Sequence, residues 1–351
     1  MQGTNFVLSR LNIKVLHLGT MNYGGIIFKM KNYNKKLILL LIPTIIILIA
    51  VFTMLFNLFN NKSTKFKTDK ALGNLEMNEE KIYAVNHHYF KSFYPLNEKS
   101  VVRAAEYMKN LQTKYMTDKN RVFYAIIPDK SYYDNLSGYD NIDYAKILEI
   151  LNQNTDGIDN IALGDLLNLD DYFKSDNHWK QENIIDIANR IGEKLGFKID
   201  ANSFEVKSFT GFKGMYSKYI DDKNYSEELK YLINEHISNA TVDNQQNKDF
   251  NKVYDVSRLN TDIPYDIFLS GASPFLTITN SAANSDKELV IFRDSYASSL
   301  APLLISEYKK ITLIDTRYMS SSLLNDFIKF DSQDVLFLYS SGVINRSSML
   351  K

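Results

Sequence analysis

One segment limits this chain more than any other. Leu37 to Phe56 reads LILLLIPTIIILIAVFTMLF, without a single charged side chain. A helix of that length matches a bilayer core of about 30 Å, so the segment is expected to cross a membrane. A cleaved signal peptide is the alternative, but the run continues into Asn57-Leu58-Phe59-Asn60-Asn61-Lys62, with no small-residue cleavage site. Pro43 falls in the second turn, a break that membrane helices tolerate. Lys29, Lys31, Lys35 and Lys36 crowd the N-terminal flank, which the positive-inside rule keeps in the cytoplasm; Lys62, Lys65 and Lys67 form a weaker cluster on the other side. The expected organisation is a cytoplasmic N-terminus (1–36), one transmembrane helix (37–56), a polar stalk (57–80) and an extracytoplasmic domain (81–351). Residues 1–29 carry no clear period, and Met30 opens a typical anchor start, MKNYNKKLILLLIP. Translation is therefore expected to begin at Met30.

Charge and composition remove several functions. Lys+Arg and Asp+Glu both number 41, so no net positive field exists to hold a nucleic acid. The absence of cysteine excludes disulfide frameworks, thiolate zinc sites, cysteine nucleophiles and thiol redox chemistry. His87-His88 is the one adjacent histidine pair, and nothing near it supplies the third ligand a catalytic zinc needs.

The C-terminal domain reads as doubly wound α/β. Val122 to Ile127 (VFYAII) is a continuous apolar run stopped by Pro128, the pattern of a strand buried on both faces. Similar runs recur at Glu288 to Arg293, Ile311 to Asp315 and Val335 to Tyr339, with a shorter one near Asn160 to Leu163. Helical patterns fall between them, at Ser100 to Tyr115 with Ser100 as cap, Tyr144 to Leu151, Gln181 to Leu195, Ala297 to Tyr308 and Ser321 to Phe330. Strands alternating with helices argue for a parallel sheet covered on both sides. Residues 203–285 do not fit, being polar and broken by Gly211, Gly214 and Gly271, so they are expected to be an insertion.

Two short motifs sit at element boundaries. Asp176-Asn177-His178-Trp179 precedes the predicted helix at Gln181, and Arg293-Asp294-Ser295-Tyr296-Ala297 spans a predicted strand-to-helix turn. A serine at such a turn presents its hydroxyl outward and has backbone N–H groups beside it to steady an oxyanion. It needs a base, and His178 can take its proton. The base needs a carboxylate to fix its tautomer, and Asp176 lies two residues away. The plain alternative is a turn with a helix cap at Asp176-Asn177, a core tryptophan at Trp179 and a simple N-cap at Ser295. Arg293 and Arg317 each follow a strand end, where a guanidinium grips a substrate carboxylate or phosphate, or else pairs structurally with Asp294 or Asp315.

The stretch Asp171-Tyr172-Phe173-Lys174-Ser175-Asp176-Asn177-His178-Trp179, taken with Phe292-Arg293-Asp294-Ser295-Tyr296, resembles the DHHW protein family of Gram-positive bacteria. That family is similar in turn to the alginate O-acetylation proteins, which carry SGNH-hydrolase-like domains. The likeness extends to Ile127-Pro128-Asp129-Lys130, Gly211-Phe212-Lys213-Gly214 with Tyr216, Phe268-Leu269-Ser270-Gly271 and Asp315-Thr316-Arg317-Tyr318, and covers most of residues 81 to 345. It implies an SGNH-like, flavodoxin-like sheet with Ser295 as nucleophile, His178 as base and Asp176 as orienter. It also implies an O-acyltransferase, moving acetyl, that receives acyl groups from a membrane-bound O-acyltransferase and places them on a cell-surface polysaccharide. No metal or cofactor is implied. Asn177 replaces a histidine of the family motif, and Ala272 stands where an asparagine would serve an oxyanion hole. Donors are then expected from the Ser295 and Gly271 amides, with Arg293, Arg317 and Trp179 as further substrate-side candidates. An esterase using the same triad, and a non-catalytic glycan-binding scaffold, are the competing expectations.

Overall fold

Branched and aromatic side chains on both faces of successive short runs leave only one way to bury them, between two layers of helix. The computed structural model describes residues 74–351 apart from Lys223, so the expected membrane segment, the N-terminus before it and the stalk up to residue 73 lie outside the described residues. Among the described residues no helix is long and apolar enough to cross a membrane.

The elements run β1 (Ile82–Val85), β2 (His88–Lys91), α1 (Glu98–Tyr115), β3 (Arg121–Ile127), α2 (Tyr144–Asn154), β4 (Asp159–Asn160), α3 (Ile185–Leu195), β5 (Glu205–Phe212) and β6 (Glu227–Ile233). They continue with α4 (Glu235–Asn239), β7 (Thr241–Asn244), β8 (Phe275–Thr279), β9 (Glu288–Arg293), α5 (Ala297–Leu300), β10 (Lys310–Ile314), α6 (Leu324–Phe327), β11 (Asp334–Ser340) and α7 (Ser341–Ile344). Seven strands form the central sheet in the order β4-β3-β11-β9-β10-β8-β7. Strands β4, β3, β11, β9 and β10 are parallel. The period-2 alternation of a strand sends Phe123, Ala125, Leu289, Ile291, Leu336 and Leu338 to the face packed by α3 and the 297–308 segment. Val122, Tyr124, Val290, Phe292, Val335 and Phe337 face α1 and α2 on the other side. The fold is mixed α/β with a mostly parallel sheet.

Several expectations change. The polar stretch 203–285 is not wholly an insertion: β8 joins β10 and β7 joins β8, both antiparallel, so its later part completes one edge of the sheet. Its core positions, such as Val242, Leu276 and Ile278, are spaced among polar residues that dilute the apolar signal. Its earlier part leaves the sheet as a separate β5-β6 hairpin. The segment after Ser295 is a single α turn followed by a 3-10 turn at Ala301–Leu304, because Pro302 has no N–H to continue an α-helical ladder. The 181–195 and 321–330 helices likewise begin as 3-10 turns, at Gln181–Asn183 and Ser321–Leu323. Asn97, not Ser100, caps α1, accepting from the Ser100 N–H, while the Ser100 hydroxyl is buried against Ile344 and Ser347. The ordered domain also starts before Lys81, since Leu75 and Ala84 exchange backbone hydrogen bonds at 3.0 and 2.9 Å.

Candidate active site

At the carboxyl edge of a parallel sheet, strands end and side chains from their following turns converge. Strand β9 delivers Arg293, Asp294 and Ser295 there, β3 delivers Asp129 and Lys130, β10 delivers Asp315 and Arg317, and β11 ends at Ser340. Asp294 is buried, and its carboxylate accepts from the Tyr296 N–H at 3.1 Å and the Ser340 N–H at 2.7 Å. That pair of bonds locks the turn after β9 to the end of β11 and leaves the Ser295 hydroxyl facing a cleft.

The structure brings the three sequence-predicted residues into one line. His178 Nε2 lies 2.8 Å from Ser295 Oγ, and His178 Nδ1 lies 2.6 Å from Asp176 Oδ1. A carboxylate only accepts, so Nδ1 carries the ring proton, and the Nε2 lone pair is left for the serine O–H. Asp176 Oδ1 also accepts from the His178 N–H at 2.9 Å, and Oδ2 from the Met215 N–H at 2.8 Å. Burial alone would raise the pKa of this carboxyl. The adjacent imidazole and these hydrogen bonds outweigh burial and hold it below its ordinary value, so it stands ready as an anion. The imidazole stacks on Tyr265 at 3.8 Å with planes 10° apart, which fixes the tilt of the ring.

The loop carrying Asp176 is held from both sides by opposite charges. Lys130 is 1% exposed, and its ammonium donates to the carbonyls of Tyr89 (2.8 Å), Phe173 (2.6 Å), Lys174 (2.7 Å) and Asp176 (3.3 Å). Burial lowers its pKa to about 7, opposed by the nearby Glu227 and Asp176 carboxylates, and the surrounding carbonyl oxygens favour the form with three protons to give. Glu227 on β6 takes the opposite groups, accepting from the N–H of Lys174 at 2.6 Å, the N–H of Ser175 at 2.8 Å and the Ser175 hydroxyl at 2.5 Å. Gly214 passes so close that an added Cβ would lie 2.4 Å from the Ser175 carbonyl oxygen and 2.6 Å from Asp176 Cβ.

The remaining candidates fare differently. Trp179 does not face the cleft. It is fully buried, and its Nε1 donates to Ser299 Oγ at 2.8 Å, so it is a core residue fastening the histidine loop to the serine segment. Gly271 borders the cleft with φ +87°, after Leu269 and Ser270 at +59° each, but its N–H is committed to the Phe268 carbonyl at 3.2 Å. Arg317 makes the structural ion pair, bidentate to Asp315 at 2.8 and 2.6 Å. Arg293 is 1% exposed and lines the cleft; it donates to Ser298 Oγ at 2.6 Å and the Ser273 carbonyl at 3.4 Å, and its Nε has no partner. Asn177 serves as a joint, its side-chain oxygen accepting from Tyr216 OH at 2.6 Å and its carbonyl from Tyr296 OH at 2.8 Å. The cleft holds a volume of about 160 Å³, and Asp266 and Tyr318 complete its rim.

Sequence reasoning gave Lys130 no role, although Ile127-Pro128-Asp129-Lys130 had marked the spot. A lysine directly behind a fully apolar strand and a proline is the available signal. Tyr265 and Glu227 left none, because both come from the stretch read as polar insertion.

No protein family profile and no curated protein matches this sequence. Solved structures do match. A DHHW family protein from Eubacterium siraeum superposes with a TM-score of 0.63 at 18% identity, over 79% of this chain and 98% of that one. The chain shares that fold. Bacillus cereus PatB1, in a structure carrying a sulfonyl adduct, matches with a TM-score of 0.63 at 18% identity, over 77% of this chain and 97% of its own. The O-acetyltransferase domain of Pseudomonas putida AlgJ is more distant, with a TM-score of 0.40 at 11% identity over 71% and 82% of the two chains. The DHHW-type fold thus places the carboxyl edge described above within a known architecture.

Two substitutions test how the loop is held. Lys130→Met keeps the aliphatic stem but strips a charged donor from four carbonyls, and should lower unfolding stability by about 3 kcal/mol or more in urea titrations; a change within about 0.5 kcal/mol, the range of an ordinary surface substitution, would show that the carbonyls find other partners. Gly214→Ala forces backbone apart beside Asp176, and should cost about 1–3 kcal/mol. It should also weaken or remove the far-downfield proton NMR signal of His178 Nδ1–H.

Proposed function

We propose that this chain is an extracytoplasmic O-acyltransferase, anchored through residues 37–56, that moves acetyl or a similar short acyl group onto hydroxyls of a cell-surface polysaccharide. The observation that carries the reading is the unbroken hydrogen-bonded line Ser295–His178–Asp176 at the wall of an open cleft. A structural role for these residues would not require the serine hydroxyl to meet the one free imidazole nitrogen there. The sulfonyl adduct carried by Bacillus cereus PatB1 supports a reactive nucleophile on this fold. The motif likeness to the DHHW and alginate O-acetylation families selects acyl transfer among the chemistries a Ser-His-Asp site can run.

In the first half-reaction His178 Nε2 takes the Ser295 proton as Oγ bonds to the acyl carbon, and the proton then goes to the departing donor group. In the second, Nε2 takes the proton of a sugar hydroxyl, that oxygen bonds to the same carbon, and Ser295 leaves with the proton returned. Asp176 stays ionised throughout and stabilises the imidazolium. With the Gly271 N–H committed elsewhere, the Ser295 amide and the buried Arg293 guanidinium are the donors proposed for the oxyanion. A membrane-bound O-acyltransferase is the proposed acyl donor. The cleft is open and His178 is 14% exposed, so water also reaches the acyl-enzyme, which favours an esterase as the second reading.

A sulfonyl fluoride probe tests the chemistry directly. The folded wild-type chain should gain one sulfonyl group on Ser295 by peptide mass spectrometry, Ser295→Ala should gain none there, and Asp176→Asn should label roughly 10³–10⁴-fold more slowly. A folded wild type that resists labelling would point to a non-catalytic glycan-binding protein. With an acetyl ester donor and an oligosaccharide, acetylated sugar marks the transferase and free acetate alone marks the esterase.

A further inference from the structure

The cleft at Ser295 does not end there. Met215, 55% exposed, lines it and two adjoining cavities, and Asn177 and His178 form the step between them. Through these shared residues the cleft adjoins cavities that reach from Ile263 and Tyr318 past Ser295 to Phe93, Tyr216 and Tyr219. Space on both sides of the serine suits an internal unit of a long chain, whose neighbouring units need room in each direction.

The far arm of this groove of adjoining cavities collects cations. The Arg346 guanidinium lies over the Phe93 ring at 4.5 Å, and Lys218 Nζ lies over the Tyr219 ring at 4.8 Å. Lys91 borders the same cavity, and its pKa is lowered by partial burial and then by the neighbouring Arg346 charge. Glu80 is the single acid lining that cavity, 3.6 Å from Lys218 and accepting from Tyr219 OH at 2.6 Å. Asp129 and Asp294 border the middle of the groove, but both are buried and engaged, with Ser341 and with backbone N–H groups respectively. Three cations against one acid leave the arm positive in a chain whose total charge is zero. Arg346 in particular makes no ion pair among the described residues, and its fork of N–H donors faces the groove. Aromatic rings under the cations supply a surface on which a sugar face can lie.

We propose that this arm is a subsite for an anionic polysaccharide, binding a phosphodiester or carboxylate on a unit neighbouring the one whose hydroxyl meets Ser295. The inference rests on the acyl-transfer reading for the second unit, but the binding it describes does not depend on that chemistry. Repulsion among Lys91, Lys218 and Arg346 is relieved when an anion enters, so binding should weaken with salt.

The full chain in detergent provides the test, with fluorescent poly(glycerol phosphate), polygalacturonate and uncharged dextran as probes. Anisotropy titrations should show binding of at least one anionic polymer, and no comparable binding of dextran. Arg346→Glu should weaken the anionic binding about tenfold or more, and Lys218→Glu, at an exposed position, gives the same reading if the first variant folds poorly. Preference for the phosphate or the carboxylate polymer identifies the anion. Equal binding of dextran, or anionic binding that both charge reversals leave unchanged, would overturn the subsite. Sulfonyl labelling of Ser295 is followed in the same samples. Labelling without anionic binding defeats the subsite alone, and anionic binding without labelling defeats the catalytic reading alone.

Discussion

A buried ammonium sets the geometry on which this site depends. The loop from Phe173 to His178 turns back over the edge of a sheet, where the Tyr89 N–H of β2 reaches the Lys174 carbonyl at 2.8 Å but no strand runs alongside to receive those of Phe173 and Asp176. Unpaired, such carbonyls would each carry the penalty of a desolvated polar group. Lys130, arriving from the end of β3, shares its three protons among three of them, those of Phe173, Lys174 and Asp176, and the Tyr89 carbonyl on β2, and Glu227, arriving from the β5-β6 hairpin, takes the neighbouring N–H groups. A cation on one side and an anion on the other give the loop a direction as well as a position, because exchanging its faces would set each charge against the wrong end of the peptide dipoles.

That arrangement also decides which buried acid remains an anion. Asp129 and Asp176 are both enclosed near the same strand ends. Asp129 has the Ser341 hydroxyl, the Gly342 N–H and the more distant Arg346 charge but no imidazole against it, so burial, with Asp294 close by, pushes its pKa up to about 7. Asp176 has the imidazole and two backbone N–H groups, and its pKa falls below the ordinary value. The difference lies in donor supply rather than depth. Both N–H groups come from segments placed by the Lys130 and Gly214 contacts, so the charge state of Asp176 follows from how its loop is packed.

Much of this was legible in the sequence. The apolar runs at Val122 to Ile127, Glu288 to Arg293, Ile311 to Asp315 and Val335 to Tyr339 locate the parallel strands because residues buried on both faces leave no polar interruption. The motifs around His178 and Ser295 were legible because they fall where such strands and helices begin and end. Strands β7 and β8 were not, since edge positions bury fewer side chains and polar neighbours are tolerated. Tyr265 was invisible for a related reason: stacking on His178 is a contact between loops distant in sequence, and no periodicity encodes it. Of the two expectations for Trp179, the core position holds rather than the substrate side, because its indole N–H requires a buried acceptor, which Ser299 supplies.

The distance between imidazole and hydroxyl is fixed a second time, independently of the sheet. Ser299, one turn beyond Ser295, accepts at Oγ from Trp179 Nε1 at 2.8 Å, lies 2.8 Å from Tyr265 OH, and accepts at its carbonyl from Gln181 Nε2 at 2.7 Å. Trp179 is adjacent to His178, and Tyr265 is the ring stacked beneath it. One serine therefore binds the residue beside His178, the residue under its ring and the helix turn carrying Ser295. A hydroxyl has two lone pairs and one proton, and Ser299 uses all three, giving the proton to the Tyr296 carbonyl at 3.3 Å. No single loop can then shift without breaking bonds in the other two. Such redundancy costs ordering entropy in three segments, and in return it holds the imidazole and the hydroxyl in one fixed alignment.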